Sequence, residues 1–321
     1  MSPGLYDAAV MHDFFVDRLV RPRGFRWLFG VADEKARQGG GSVHGVSQQD
    51  VRGGNAVNLA HALATLGAKV LLITHSDAEH SGMLRKSFDG LRAEVRIKPL
   101  PPGLTVSLEG SVNVMLSDSG GAASFPPSLL TEQDWDSLRR SRIVCCVNWA
   151  ANRKGTELLC ALRSKLGQRK TLFLNPSDVR DRYGDYRALL GRMRERRVVD
   201  WVSMNEYEAA STSRALGLGN LGPRRACLEI ARALKARVDV HTEDAVHTSL
   251  GSGVTSVATR RVKPKRLTGA GDVWDAASIA AFLRGMGDRD RLEFANAAAR
   301  LFVKSGGPVP PTLAEVRSAL R

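Results

Sequence analysis

Cysteine is scarce in this 321-residue chain: Cys145, Cys146, Cys160 and Cys227 are its four, with no CxxC pair and no ligand spacing to histidine. That argues against a disulfide framework or a zinc site and points to reduced, buried thiols in a cytoplasmic protein. Long hydrophobic runs are also missing. No apolar stretch approaches the roughly 20 residues that span a bilayer. Asp7, His12 and Asp13 interrupt the region where a signal peptide needs an apolar core, so no membrane partner is expected. Acids are in deficit: 33 Asp and Glu stand against 47 Lys and Arg, for a net charge of +14. The excess favours anionic partners such as phosphorylated substrates, nucleotides or nucleic acid. The basic residues are scattered, however. The densest run, Arg192-Met193-Arg194-Glu195-Arg196-Arg197, is broken by Met193 and Glu195 and reads as a solvated helix face. Without an RNP-like aromatic motif, zinc-finger spacing or basic zipper, nucleic-acid binding rests on net charge alone and is not expected.

There is no internal repeat, low-complexity region or convincing linker. With 43% hydrophobic and 25% charged residues, the chain reads as one globular domain, residues 1–321, with an appendage. Residues 8–20 read as a strand and residues 33–50, rich in Gly, Gln and Ser, as loop or hairpin. Residues 55–66 form a clear helix closed by Gly67. Short apolar runs at 70–74, 143–147, 171–174, 198–203 and 238–241 alternate with helical segments. That rhythm predicts an α/β fold, a mainly parallel central sheet flanked by helices. Residues 95–100 and 105–116 alternate as strands do and break the rhythm. They suggest a small β lid, its strands drawn from about 10–50 and 93–118.

Three segments carry chemistry. In Leu267-Thr268-Gly269-Ala270-Gly271-Asp272-Val273-Trp274, a bare loop runs into a helix. Several N–H groups then point at one spot, which suits a phosphate. The adjoining Asp272 can take a proton from an attacking hydroxyl. A tight turn with Asp272 as a helix cap is the plain alternative. Gly53-Gly54-Asn55-Ala56-Val57-Asn58 is a second glycine-led helix start. Asn55 and Asn58, three apart, share a helix face and could bind hydroxyls, or Asn55 could be an ordinary cap. Asn205-Glu206-Tyr207-Glu208 follows an apolar run at the end of a predicted parallel strand, where open α/β sheets bind ligands. Glu208 could hold Mg²⁺ through water, or the pair could be an acidic first turn.

Together, in this order and spacing, these segments resemble the ribokinase-like family of carbohydrate kinases, often called the PfkB family. The resemblance runs from about residue 9 to about residue 307. It implies transfer of the γ-phosphoryl group of ATP to a hydroxyl of a sugar, an inositol-type polyol or a nucleoside. Asp272 would be the general base, and the N–H groups of Gly269, Ala270 and Gly271 the anion hole. Asn205 and Glu208 would organise Mg²⁺ and the phosphates. Asp17, with Asp13, Gly54 and Asn58, would grip the substrate, while Asn296 and Thr242 would sit with the nucleotide. The early strands would be the family's lid, of a kind that often pairs into homodimers.

The chain also departs from the family. Arg266 and Leu267 stand where Asp-Thr is usual, and an arginine cannot ligate a cation, so monovalent-cation activation is not expected. Glu243 stands where the nucleotide strand usually has glycine; Trp274 replaces Phe and Ala277 replaces Gly. The last two look like repacking; the changes at Arg266, Leu267 and Glu243 motivate one alternative, a non-catalytic nucleotide-binding regulatory protein of the same fold. Asp275, three residues after Asp272, is expected to face a different neighbour or cap the helix. Residues 148–152 could line the cleft or be plain loop.

Overall fold

The computed structural model describes residues 5–109, 113–265 and 268–320. In chain order the first strands are β1 (Tyr6–His12), β2 (Phe15–Arg21), β3 (Ser47–Gly53), β4 (Val70–His75), β5 (Ala93–Lys98), β6 (Gly103–Glu109) and β7 (Asn113–Asp118). They are followed by β8 (Ser141–Val147), β9 (Thr171–Asn175), β10 (Trp201–Asn205), β11 (Arg237–His241), β12 (Ala245–Ser249) and β13 (Val254–Ala258). The helices before β10 are α1 (Phe25–Arg37), α2 (Asn55–Thr65), α3 (Ala78–Lys86), α4 (Glu132–Arg139), α5 (Gly155–Leu166) and α6 (Tyr183–Glu195). The later ones are α7 (Glu206–Ala215), α8 (Pro223–Leu234), α9 (Ala270–Leu283), α10 (Asp288–Ser305) and α11 (Leu313–Ser318).

Nine strands form the main sheet in the order β13-β12-β11-β10-β9-β8-β1-β4-β5. From β5 to β11 every neighbouring pair is parallel; β12 and β13 add an antiparallel edge. The buried strands divide their side chains between two cores, as a parallel sheet covered on both faces requires. Ala8 and Val10 of β1 enter one core with Val70 and Leu72 of β4, under α2, α9 and α10. Ala9 and Met11, with Leu71 and Ile73, enter the other, under α5, α6 and α8. The α/β fold with a mainly parallel sheet is therefore present. Among the described residues, no helix is long and apolar enough to cross a membrane.

The second sheet has the order β3-β2-β6-β7. Its central pair, β2 and β6, is parallel and both flanks are antiparallel. Three expectations from the sequence need correction here. Residues 8–20 form two strands in two different sheets, because the chain turns at Asp13-Phe14, where a carboxylate and a phenyl ring are both fully buried. Residues 33–37 are the polar last turns of α1, a surface helix with no buried residue whose large apolar side chains, Phe25, Trp27, Leu28, Phe29 and Val31, all precede them, so the segment from 33 onward carries no helical signal of its own. Ala93–Lys98 is not a lid strand: it pairs with β4 at the edge of the main sheet, and the half-burial of an edge explains its alternation.

Candidate active site

The C-terminal ends of the parallel strands, the start of α2, the start of α9 and the small sheet together enclose a cleft of about 830 Å³. β1 ends against Asp13, whose carboxylate is fully buried. It accepts from the N–H of Asn55 at 2.9 Å, the N–H of Ala56 at 2.8 Å and Nδ2 of Asn148 at 2.8 Å. Burial raises its pKa, and the three donors oppose that rise. A carboxylate at the positive end of a helix is the favourable arrangement. Asp13 does not line the cleft, which corrects the expectation that it touches substrate: its oxygens are committed to the start of α2 and to Asn148. Gly54 sits at φ +95°, and a Cβ there would stand 2.9 Å from the Asp13 carbonyl oxygen. Only glycine allows this close joint.

Asp17, Gly54 and Asn58 do line the cleft, with Asn55, Thr105, Ser117, Asn148, Asn175 and Ser177. Asn58 is a bridge. Its Oδ1 accepts from Nη1 of Arg52 at 3.0 Å, and its Nδ2 donates to Oδ2 of Asp272 at 3.0 Å. The wall of Asn, Ser and Thr suits hydroxyl-bearing molecules, since each amide both donates and accepts.

Gly269, at φ +86°, is the N-cap of the 14-residue helix α9. The N–H of Val273 already bonds the Gly269 carbonyl at 3.1 Å. The N–H groups of Ala270, Gly271 and Asp272 precede it and have no partner within the helix. Asp272 opens partly on the cleft, yet desolvation pushes its pKa well above the usual carboxylate range. The Asn58 donor lowers it, while Asp275, Asp13 and Glu208 add to the rise. Asp275 is 1% exposed. It accepts from Nδ2 of Asn175 at 2.9 Å and from the Ser203 hydroxyl, so it faces the sheet rather than capping the helix. Burial raises its pKa to about 7. Asn113 of β7 donates to the Thr268 hydroxyl at 2.6 Å, joining the small sheet to the loop before α9. Arg266 and Leu267, the departures just upstream, lie outside the described residues.

Asn205 and Glu208 both line the cleft, and they form a reciprocal cap on α7 with two bonds of 2.9 Å. The acidic first turn and the cleft position are therefore both real. Desolvation raises the Glu208 pKa to about 7, the Asn205 N–H opposing it. Among the described residues, no cluster of three or more His, Cys, Asp or Glu could cage a metal ion. One carboxylate that shares Mg²⁺ with water and phosphates needs no such cluster.

Two expected nucleotide residues stand apart. Asn296 lies in a neighbouring cavity of about 330 Å³ with Val257, Ala258 and Ala297, and its Oδ1 accepts from Trp274 Nε1 at 3.0 Å. Thr242 is not brought to the cleft. Its hydroxyl donates to Ala245 O at 2.8 Å and accepts from the N–H of Ala245 at 3.0 Å, closing its own turn. The cleft residue at that strand end is instead His241, whose ring lies 5.1 Å from Trp274 and whose pKa burial lowers to about 4. The sequence motifs do not single out His241, Asn175 or Ser177. Their signal is position, since each ends or follows a short apolar run. Asn148, Ala150 and Ala151 do line the cleft, whereas Trp149 packs inward with Tyr186 at 5.4 Å. Arg182 also lines it, but its guanidinium stacks 4.4 Å over Trp149 and donates to the Trp149 and Asn152 carbonyls.

A family model described as pfkB family carbohydrate kinase matches residues 30–314. Among solved structures, ribokinase from Thermotoga maritima is 19% identical with a TM-score of 0.80, covering 98% of this chain and 99% of its own. Arabidopsis thaliana ribokinase complexed with ribose and ATP is 19% identical with a TM-score of 0.78, covering 100% of this chain and 99% of its own. Adenosine kinase from Sinorhizobium meliloti is 19% identical with a TM-score of 0.80, covering 98% and 99%. No curated protein matches the chain.

Proposed function

This chain belongs to the pfkB family of carbohydrate kinases, and from that premise we propose that it transfers the γ-phosphoryl group of ATP to a hydroxyl of a small polyhydroxylated acceptor, a sugar, polyol or nucleoside. The observation that carries the reading is the start of α9. There a carboxylate with a raised pKa lies beside three helix N–H groups, inside a cleft walled by amides and hydroxyls. The ribose and ATP bound to the Arabidopsis ribokinase support the same pairing of acceptor and donor in this fold.

In this mechanism Asp272 takes the proton of the acceptor hydroxyl as its oxygen attacks the γ-phosphorus. The bond from the γ-phosphorus to the bridging oxygen breaks, ADP leaves, and the Asp272 proton passes to solvent. The raised pKa makes Asp272 a stronger base than an exposed aspartate. Asn58 holds its second oxygen and so fixes the direction of the first. The N–H groups of Ala270 and Gly271, with that of Gly269 on the loop, stabilise the charge spread over the phosphoryl oxygens. Asp17, Gly54 and Asn58 orient the acceptor. Glu208 and Asn205 would hold Mg²⁺ through water, and Mg²⁺ when bound neutralises phosphate charge. The adenine would take the cavity beside Asn296. The small sheet, tied by Asn113 to Thr268, would exclude water.

The test is a coupled ADP-release assay with Mg-ATP across sugars, polyols, sugar acids and nucleosides. Turnover on one compound that falls at least about a hundredfold in Asp272→Asn supports the reading. Full turnover in Asp272→Asn on the true acceptor overturns it. ATP binding with silence across the panel moves the weight to the non-catalytic protein of the same fold.

A further inference from the structure

Asp275 is a buried carboxylate that the mechanism above does not use. It sits one helical turn beyond Asp272, so the two are neighbours along α9. Its two hydrogen bonds come from different strands: Asn175 at the end of β9 and Ser203 in β10. The chain of bonds continues. Asn175 Oδ1 accepts from the Ser177 N–H at 3.0 Å, and Ser177 Oγ accepts from Asn55 Nδ2 at 3.2 Å. Asn55 is the first residue of α2, the helix that carries Asn58. A continuous polar path therefore runs from α9 across two strand ends to the acceptor wall, and Asn58 closes it by bonding Asp272.

We propose that Asp275 is a positioning residue for phosphoryl transfer: it locks the first turns of α9 against β9 and β10 and sets the charge around Asp272. The proposal rests on the reading of Asp272 as base. Both donors point their hydrogens at Asp275, so the bonds are satisfied by the carboxylate form. The other ionisable groups facing it are acids and a thiol: Asp272 on α9, Glu208 on α7, Asp239 on β11 and Cys145 on β8. Asp239 is paired with Arg291. Among the described residues, the groups that bond Asp275 itself are the neutral Asn175 and Ser203. Its negative charge raises the proton affinity of Asp272, which makes the base stronger at the cost of activity in acid.

The experiment is Asp275→Asn in the full chain, assayed for kcat, KM for ATP and the pH dependence of kcat on the acceptor that the panel identifies. The amide keeps the shape but presents an N–H₂ to a donor and removes the charge. The expected result is a fall in kcat of roughly ten- to a hundredfold, the scale of a small misplacement of reacting groups. KM for ATP stays within about threefold, and the acid limb of the kcat profile moves to lower pH, because Asp272 loses a repelling neighbour. An unchanged rate and profile overturns the proposal. So does a slower enzyme whose acid limb has not moved, since a purely structural role predicts that outcome. If Asp275→Asn does not fold, Ser203→Ala removes one donor and keeps the acid. A severalfold fall in kcat with KM for ATP unchanged supports the proposal, and wild-type kcat overturns it. Asp272→Asn run in parallel separates the two ideas. If it keeps full turnover, the base assignment has failed. If it is inactive while Asp275→Asn matches wild type, only the positioning role has failed.

Discussion

Titrating the folded protein downwards from pH 8 sets two groups of buried side chains against each other. Asp275 and Glu208 both titrate near 7 in the fold, against ordinary values of 3.8 and 4.5, because burial disfavours their charge. A carboxyl whose folded pKa is raised holds its proton more tightly when folded. Its contribution is complete below the unfolded value and is lost as pH rises through the folded one. Between pH 8 and 6.5 the two carboxyls together recover about 1.5 kcal/mol. Asp272, displaced in the same direction, steepens that arm. The histidines act oppositely. Burial lowers His12, His75 and His241 to about 4 and His61 to about 3, from 6.5. Each ring costs about 0.4 kcal/mol between pH 8 and 6.5, so Asp272 decides the slope there. Below pH 6.5 the unfolded chain takes up protons that these rings refuse, at about 1.5 kcal/mol each by pH 5. Asp275 and Glu208 return about 3.5 kcal/mol over the same interval, less than the four rings lose; Asp272 and Asp13, both displaced upward by burial, reduce the deficit, and His247, displaced downward, adds to it. Stability of the ligand-free protein therefore peaks between about pH 6 and 7 and is about 1–3 kcal/mol lower at pH 5. Urea unfolding followed by circular dichroism, in half-unit steps at constant ionic strength, measures this curve. A rise in stability of more than about 1 kcal/mol from pH 6.5 to 8 would refute the placement of Asp275 and Glu208. A maximum below about pH 5.5 would refute the buried, neutral histidines.

Three further outcomes follow from single changes. Gly54→Ala puts a Cβ 2.9 Å from the Asp13 carbonyl in a left-handed backbone. It should cost roughly 2–5 kcal/mol in urea unfolding and raise KM for the acceptor. Arg291→Met removes the partner bonded to Asp239 at 2.6 and 3.0 Å in a fully buried pair. Leaving that buried carboxylate without its guanidinium partner, with Trp201 Nε1 and the Ser278 hydroxyl as remaining donors, should cost about 3–5 kcal/mol, read as a fall in Tm; no loss would mean that water reaches the pair. Asp13→Asn points amide hydrogens at the donors of Asn55, Ala56 or Asn148. It should destabilise the chain by about 1–3 kcal/mol and weaken acceptor binding more than ATP binding in isothermal titration.

Features that depend on neighbours along the chain are legible in the sequence. The α2 and α9 starts, and the Asn205–Glu208 pair, follow from glycine backbone freedom and helix-end chemistry acting over a few residues. The parallel sheet follows from short apolar runs between helical segments. What the sequence hides is set across distance. Asp13 reads as a cleft acid because nothing nearby reveals that its partners are Asn55, Ala56 and Asn148. Thr242 and His241 are adjacent, yet the turn takes one hydroxyl and the cleft receives the other residue's ring. The strand at 93–98 and the small-sheet strand β6 share one alternating pattern, because a sheet edge and a half-covered small sheet bury one face alike. The large apolar residues of α1 all lie at 25–31, so its polar end at 33–37 leaves no periodic trace and reads as loop.

The alternate delivery of β1 and β4 side chains into two opposite cores also bears on how this protein can vary over generations. A one-residue insertion inside either strand would send every residue on one side of it to the opposite core. In β1 it would also advance the strand's end by about 3.3 Å, carrying Asp13 away from the helix it holds. Length changes are therefore confined to the loops that enter the strands from the side opposite the cleft. New acceptor preferences have to arise by substitution in the wall or by remodelling of the small sheet. An insertion library across residues 6–13 and 65–75 would show this as a sharp boundary, with the segment between α2 and β4 permissive and the strands themselves closed.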